Sequence, residues 1–186
     1  MYAIEESNGI NRGQLKYFGA DLSPIEKNKA KLQITGLLDT MVDAKEYGSI
    51  LNVENYDWEL LQRFAESIYD AGQMSLDTIG IDQTQEQLLA LIEITYVMAQ
   101  KYEIVVTNPP YMGAGNIGHK TMAYIKSNYF QGRTDLFAVF IKKCKAMTKR
   151  MGLFSMITMQ AWMFQSSFLE LRNDLANSML TNLIHL

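Results

Sequence analysis

The chain has 186 residues, of which 48% are hydrophobic, and a formal net charge of −3. These values fit a globular domain with a sizeable core. No run of 18 or more apolar residues could span a membrane, and no basic-plus-apolar signal segment opens the sequence. The single cysteine, Cys144, excludes an internal disulfide and agrees with a reducing cytoplasm. Cys144 lies in a helical apolar pattern, which is typical of a core position.

The two halves of the chain differ in charge. Residues 1–100 carry 7 Lys/Arg against 16 Asp/Glu, a balance of −9, and residues 101–186 carry 10 against 4, a balance of +6. A positive surface in the second half is what contacts with nucleic-acid phosphates require. A solvated helix face explains any single lysine equally well. The basic residues concerned are Lys142, Lys143, Lys145, Lys149 and Arg150.

Residues 1–100 are predicted to be mostly helical. Ser23-Pro24-Ile25-Glu26 combines an N-cap serine, a proline at the first helical position and a capping-box glutamate. The helix that starts there should end near Gly48. A short apolar run at residues 50–53 fits either a strand or a loop. The inward face of the first helix is predicted from Ile25, Leu32, Leu37, Leu38, Met41 and Val42.

Two more helices are predicted before residue 100. One starts near Asp57 and ends near Gly72. The next opens at the capping box Thr84-Gln85-Glu86-Gln87 and runs to about Ala99, where it leads into a strand as in a βαβ unit. Their inward residues are Trp58, Leu61, Phe64, Ala65 and Ile68 in the first, and Leu88, Leu91, Ile92 and Thr95 in the second.

The apolar run Ile104–Thr107 is followed directly by Asn108-Pro109-Pro110-Tyr111. The run is short and rich in β-branched residues, which predicts a buried strand of an α/β sheet. The two prolines end the strand, and Pro109 holds Asn108 extended, so that its side chain leaves at the carboxyl end. Ligands of open α/β sheets bind at that edge. The alternative is a strand-ending turn without function.

The next stretch, Gly113–Gly118, is a literal G-x-G-x-x-G. Neither phosphate-binding motif fits, because N-P-P-Y separates it from the strand and His119 stands where a phosphate loop needs lysine. We interpret it as a flexible glycine loop over a pocket beside Tyr111. His119 is expected to be exposed or to contact a phosphate, and no metal site is predicted.

Helix and strand alternate in the remaining residues. Thr134 is predicted to cap a helix that runs to about Arg150, and Leu153–Thr158 is the next strand. Ser167 should cap a last helix before a further strand starts near residues 183–186. The inward residues of these two helices are Leu136, Phe140, Cys144 and Met147, and then Leu171, Leu175 and Met179. The predicted fold class is α/β.

Four stretches resemble amino-directed DNA methyltransferases. Tyr102–Tyr111 resembles their D-x-x-x-x-N-P-P-Y motif, with Glu103 in place of the usual aspartate, and its asparagine form points to adenine N6. Asp135–Ile141 and Gly152–Thr158 resemble the helix and strand that follow this motif. Asp43–Leu51 is similar to the large PglX-like adenine methyltransferases of bacteriophage-exclusion systems.

This resemblance implies a fold and a reaction. Residues 101–186 would form the target-base half of a partial Rossmann-like methyltransferase sheet with flanking helices, and the helical residues 1–100 would precede it or be inserted in it. A methyl group would pass from S-adenosylmethionine to an adenine flipped out of double-stranded DNA. The implied catalytic residues are Asn108, Pro109, Pro110 and Tyr111, and the implied substrate contacts are Asn108, Tyr111, Gly113 and Lys120.

The same resemblance places Phe137 or Phe140 near the adenine of S-adenosylmethionine, whereas periodicity alone makes both core residues. The glycine-rich turn that should hold this cofactor is not recognised, and Tyr17–Leu22 resembles the expected acidic strand only superficially. We therefore expect a segment that is inactive alone and depends on other parts of a longer chain or on further defence-system subunits. The alternatives are an RNA or protein N-methyltransferase and a non-catalytic DNA-binding or assembly module.

Overall fold

The computed structural model describes residues 3–69 and 78–184 of the chain. The chain divides into two compact units, Met1–Gln100 and Lys101–Leu186. The helix end predicted at Gly72 and the last two residues of the predicted terminal strand, His185 and Leu186, lie outside the described residues. None of the described helices is long and apolar enough to cross a membrane.

The first unit is built from helices. They are α1 (Pro24–Thr40), α2 (Ala44–Tyr47), α3 (Trp58–Glu66) and α4 (Ile81–Ala99). Helix α3 packs against both α1 and α4, and the rings of Phe18 and Phe64 meet with their centroids 6.1 Å apart. The largest fully buried side chains of this unit are Phe18, Ile34, Leu37, Leu38, Met41, Ile50, Leu61, Phe64, Leu88 and Leu91.

The start of α1 confirms the predicted capping box. The Ser23 hydroxyl accepts a hydrogen bond from the Glu26 backbone, and the Glu26 carboxylate accepts one from the Ser23 backbone. The predicted inward face was wrong in part, because Ile25 is 82% exposed and Leu32 is 77% exposed. At 100° per residue both lie about half a turn from the buried Ile34.

Helix α4 starts four residues earlier than predicted. Its N-cap is Gly80, which has the positive φ of 78° that glycine adopts readily. Thr84 is therefore not a cap but a buried residue within the helix, and its hydroxyl donates to Gln14 Oε1 at 2.6 Å. Helix α3 starts near Asp57 as predicted, and Asp57 caps it, because its carboxylate accepts from the Leu60 backbone at 3.3 Å.

The second unit combines two parallel strands with helices. Strand β1 (Tyr102–Thr107) is followed by α5 (His119–Asn128), α6 (Leu136–Met147), β2 (Thr148–Met156), α7 (Ala161–Phe164) and α8 (Leu169–Leu175). Strands β1 and β2 pair in parallel, and α6 packs against both. A core cluster joins α6 to α8 and consists of Phe137, Ala138, Ile141, Phe168 and Leu171. Mixed helices and strands with a parallel pair confirm the α/β class; the described sheet has two strands.

Strand β1 is present where it was predicted, but it is not buried on both faces. Ile104 is 68% exposed and Val106 is 73% exposed. The sheet has only two strands in the described part of the chain, and α6 packs on one of its faces. Every second side chain along β1 points to the other face and therefore stays in contact with solvent. The apolar run indicated a strand correctly but not the number of its neighbours.

Several predicted boundaries in this unit shift. Helix α6 is capped by Asp135 rather than Thr134, and it ends at Met147 rather than Arg150, because β2 starts at Thr148. Helix α8 has no side-chain cap from Ser167. Met179 lies beyond the end of α8 and is 88% exposed, so its predicted inward position was wrong. Helices α5 and α7 were not predicted.

Candidate active site

The carboxyl ends of the two parallel strands lie side by side. Thr107 is paired with Met156 in the register of the sheet. The next residues, Asn108 and Ile157, therefore leave the sheet at the same edge, which is the edge where α/β proteins bind their ligands. Thr158 follows and accepts a hydrogen bond from the Trp162 indole at 3.2 Å.

The turn after β1 exposes the groups that a ligand would contact. Pro109 is buried, whereas Asn108 and Pro110 are exposed, and Tyr111 is 49% exposed. The buried proline anchors the turn to the body of the unit. The amide of Asn108 and one side of the Tyr111 ring are thus presented at the surface rather than packed in the core.

The Tyr111 hydroxyl connects the two strand ends. Its oxygen lies 3.3 Å from Asn108 Oδ1 and 3.2 Å from the backbone oxygen of Ile157. The aromatic ring, the amide and the end of β2 consequently form one hydrogen-bonded group. The sequence did not indicate the contribution of Ile157, because its backbone carbonyl carries no residue-specific signal.

The segment after Tyr111 is tied to the start of α6. Gly113 and Asp135 form an antiparallel bridge, the Ala114 backbone donates to Thr134 at 3.1 Å, and the Leu136 backbone donates to Met112 at 2.9 Å. The Asp135 carboxylate also accepts from the Phe137 backbone and so caps α6. Asp135 is a site-forming residue that the sequence reasoning did not single out. An aspartate directly before an apolar helical run was the available signal.

The predicted substrate contacts Gly113 and Lys120 lie on this same connection. Gly113 precedes a short 3₁₀ turn at Ala114–Asn116, and Lys120 is an exposed residue in the first turn of α5. His119 is the first residue of α5 and is exposed, which is one of the two environments predicted for it. Contacts of Gly113 and Lys120 with a substrate stay predictions.

The two aromatic residues predicted near the cofactor differ in burial. Phe137 is 1% exposed, and its ring lies 5.6 Å from that of Phe168 in the core cluster. Phe140, on the same helix, is only partly buried. The sequence left open whether these two residues lie in the core or near a cofactor, and Phe137 is observed in the core. Of these two residues, Phe140 alone keeps enough surface to contact a ligand.

The basic residues of α6 and β2 are mostly engaged within the unit. Lys142 and Lys145 both bind the carboxylate of Asp174, at 2.9 and 3.2 Å. Burial disfavours ionisation of Asp174, but these two hydrogen bonds outweigh it and keep its pKa below the ordinary value. Lys143 is buried, and burial lowers the pKa of its ammonium group to about 8. These three of the five basic residues considered in the sequence are therefore ion-paired or buried within the unit.

Glu103 occupies the position at which the methyltransferase motif usually has aspartate. Its carboxylate accepts a hydrogen bond from Lys149 at the beginning of β2, and this bond lowers the pKa of Glu103. The pair lies near the amino ends of the strands, away from the turn at Asn108. Glu103 therefore links β1 to β2 at this end of the strands.

A cavity of about 270 Å³ lies elsewhere in the second unit. Its lining includes Phe130, Arg133, Thr134, Ser166 and Ser167, and neither Asn108 nor Tyr111 contributes to it. The hydroxyl of Thr134, which does not cap α6, is buried without a hydrogen-bond partner in the described part of the chain. The turn at Asn108 is by contrast an open surface feature.

Comparison with known proteins adds the family to this geometry. Residues 16–186 match the Eco57I restriction-modification methylase family. The chain belongs to this family. The match extends across both units and includes the turn at Asn108.

Two relatives of this Eco57I-family chain are named as adenine-specific methyltransferases. It is 33% identical over 177 residues to the adenine-specific methyltransferase PglX of Lacticaseibacillus casei (strain Zhang), an alignment that covers 93% of this chain and 14% of that protein. It is 32% identical over 144 residues to the adenine-specific methyltransferase BrxX of Escherichia coli O9:H4 (strain HS), covering 76% of this chain and 12% of that protein. The chain thus spans a small fraction of the length of both relatives.

Proposed function

We propose that this chain is the target-base segment of an adenine-N6 DNA methyltransferase. The observation that carries the proposal is the position of Asn108 and Pro109 at the carboxyl end of β1, beside the end of β2, in a chain of the Eco57I family. The names of both relatives describe them as adenine-specific, which favours adenine as the target base. In this proposal β1 and β2 belong to a larger Rossmann-like sheet.

The proposed role of the turn follows from the chemistry of adenine. Its exocyclic amine is a poor nucleophile, because the nitrogen lone pair is delocalised into the ring. The side-chain oxygen of Asn108 and the backbone carbonyl of Pro109 accept the two N–H groups, which favours a more tetrahedral nitrogen and frees the lone pair. Pro109 and Pro110 fix the direction of these dipoles before the substrate binds, so little reorganisation is needed during the reaction.

Tyr111 supplies a surface for the displaced base. An adenine inside a duplex is out of reach, so it must be flipped out at a cost of roughly a few kcal/mol. Tyr111 is 49% exposed, and its ring is proposed to stack on the flipped base. Gly113 and Lys120, which follow on the same connection, are proposed to contact the nucleotide and its phosphates.

S-adenosylmethionine would supply an electrophilic methyl group. Phe140 is the residue of this chain proposed to hold the adenine ring of this cofactor, because it is only partly buried while Phe137 is fully packed. We propose that the remaining cofactor contacts come from further residues of a longer polypeptide, as the length of the relatives suggests. Further defence-system subunits and a cytoplasmic location belong to the same proposal.

The test uses the full-length protein that contains this sequence. The protein is incubated with labelled S-adenosylmethionine and with DNA, RNA or protein as the methyl acceptor. The proposal predicts label in double-stranded DNA, recovered as N6-methyladenine. Label in RNA or protein alone would replace DNA with that substrate. Retained DNA binding without transfer to any acceptor would identify a non-catalytic binding module instead.

A further inference from the structure

The Tyr111 hydroxyl has one proton and two oxygen neighbours. Asn108 Oδ1 and the Ile157 backbone oxygen lie 3.3 and 3.2 Å from the Tyr111 oxygen, and both are hydrogen-bond acceptors in this arrangement. A phenol can donate its proton fully to only one of them. The other would then face the phenol oxygen without a proton between them.

A half-turn of the Asn108 amide removes this conflict, because it exchanges Oδ1 with Nδ2. Asn108 Nδ2 then donates to the Tyr111 oxygen, and the Tyr111 hydroxyl donates to Ile157. We propose that Tyr111 is a positioning residue, whose hydroxyl holds the Asn108 amide with its nitrogen toward the phenol and its oxygen toward the substrate. This inference rests on the proposed function.

The orientation matters because an adenine amine donates hydrogen bonds. With Oδ1 outward, Asn108 offers the amine an acceptor. With Nδ2 outward, two donors face each other and the acceptor is lost. The backbone of Ile157, which accepts from the Tyr111 hydroxyl, is held rigidly, because Ile157 follows β2 directly. The pairing of Thr107 with Met156 fixes the distance between Ile157 and Asn108. The ring of Tyr111 stacks, while its hydroxyl orients the amide, so the two roles can be separated.

The separating variant is Tyr111→Phe in the full-length protein, on a DNA duplex that the wild type methylates. We expect the single-turnover rate of methyl transfer to fall about tenfold, as for loss of one hydrogen bond that fixes a reacting group. The KM for DNA and the fluorescence of 2-aminopurine at the target position should stay near wild type, because the stacking ring remains. Tyr111→Ala should impair all three. Tyr96→Phe, which removes an exposed hydroxyl from α4, is the matched control.

A second comparison uses the Asn108→Asp background. Both oxygens of a carboxylate accept, so no orientation needs to be fixed there. Tyr111→Phe should then cost less than about twofold.

An unchanged transfer rate in Tyr111→Phe would overturn the inference. It would also be overturned if Tyr111→Phe lowered the transfer rate by the same factor in the wild type as in the Asn108→Asp variant. Loss of 2-aminopurine fluorescence to the level of Tyr111→Ala would overturn it as well, since the hydroxyl would then act in binding. Failure of the proposed function is distinguishable, because the wild type itself would transfer no methyl group to DNA.

Discussion

At the scale of single residues, Lys143 shows how burial changes a charge. The side chain is 5% exposed in α6, and desolvation lowers the pKa of its ammonium group to about 8 from 10.5. The same environment raises the pKa of its neighbour Cys144, chiefly through burial. Burial therefore destabilises the charged form of this lysine relative to water, although that form still predominates at pH 7.

We predict that Lys143→Met increases the free energy of unfolding at pH 7 by about 1–3 kcal/mol, because a desolvated charge is replaced by an apolar side chain. Between the folded and unfolded pKa values the unfolded chain binds more protons, so wild-type stability rises with pH. The advantage of the variant should accordingly shrink from pH 8 to about pH 10.

Denaturant unfolding at pH 7 and pH 10 measures this difference. Lys126→Met, at an exposed position of α5, is the control and should change stability little. A Lys143→Met chain that is less stable than wild type at both pH values would contradict this prediction.

The sequence indicated which residue types form the site, but it did not indicate the hydrogen bonds between them. Asn108, Pro109 and Tyr111 could be selected because their backbone and side-chain properties are local. The partners of these residues could not be read in the same way. Ile157 lies 46 residues from Tyr111 in the sequence, so its contact with the Tyr111 hydroxyl depends on the pairing of β1 with β2. Asp135 is likewise distant in the sequence from Gly113, with which it forms a bridge.

At the scale of elements, the pairing of β1 with β2 depends on Gly152. A Cβ atom built on Gly152 would lie 2.6 Å from the Glu103 carbonyl oxygen and 2.8 Å from Thr148 Cγ2. This is also where the register is irregular, between the pairs Tyr102–Thr148 and Ile104–Leu153. The close approach of two backbones at an irregular strand position explains a glycine there.

We predict that Gly152→Ala destabilises the fold by about 1–3 kcal/mol, because the methyl group would force the strands apart. Thermal unfolding followed by circular dichroism measures the effect. The matched control is Gly115→Ala, where an added Cβ meets no atom within 4 Å. Equal melting temperatures for Gly152→Ala and wild type would show that β2 can shift without cost.

Elements with strong terminal signals were predictable, and those defined by packing were not. The capping box at Ser23 and the cap at Asp57 confirm their helices. Helix α5 was missed, although Thr121 and Ile125 recur at helical spacing and are buried. The glycines just before it favoured a loop, and burial of one face decided otherwise.

At the scale of the whole molecule, the opposite charges of the two halves coincide with the two structural units. Residues 1–100 have a balance of −9 and residues 101–186 a balance of +6. DNA contact is proposed to involve Lys120, an exposed residue on the connection after Tyr111. The number of strands beside β1 could not be inferred from an apolar run alone.

We predict that Lys120→Ala in the full-length protein weakens DNA binding uniformly across sequences and reduces the slope of log K against log salt by about 1. Titrations at several salt concentrations measure both quantities. Lys31→Ala, in α1 of the acidic unit, should leave them unchanged. An unchanged slope for Lys120→Ala would exclude a phosphate contact at this residue.

The central claim is tested most directly by quantifying N6-methyladenine, by mass spectrometry, in DNA treated with the full-length protein and its Asn108→Ala variant. Loss of the amide acceptor should lower the rate of methylation about 10²-fold or more. Asn28→Ala, which truncates an exposed asparagine in α1 of the first unit, should retain the wild-type rate. Methylation by Asn108→Ala at the wild-type rate would contradict the role assigned to the turn.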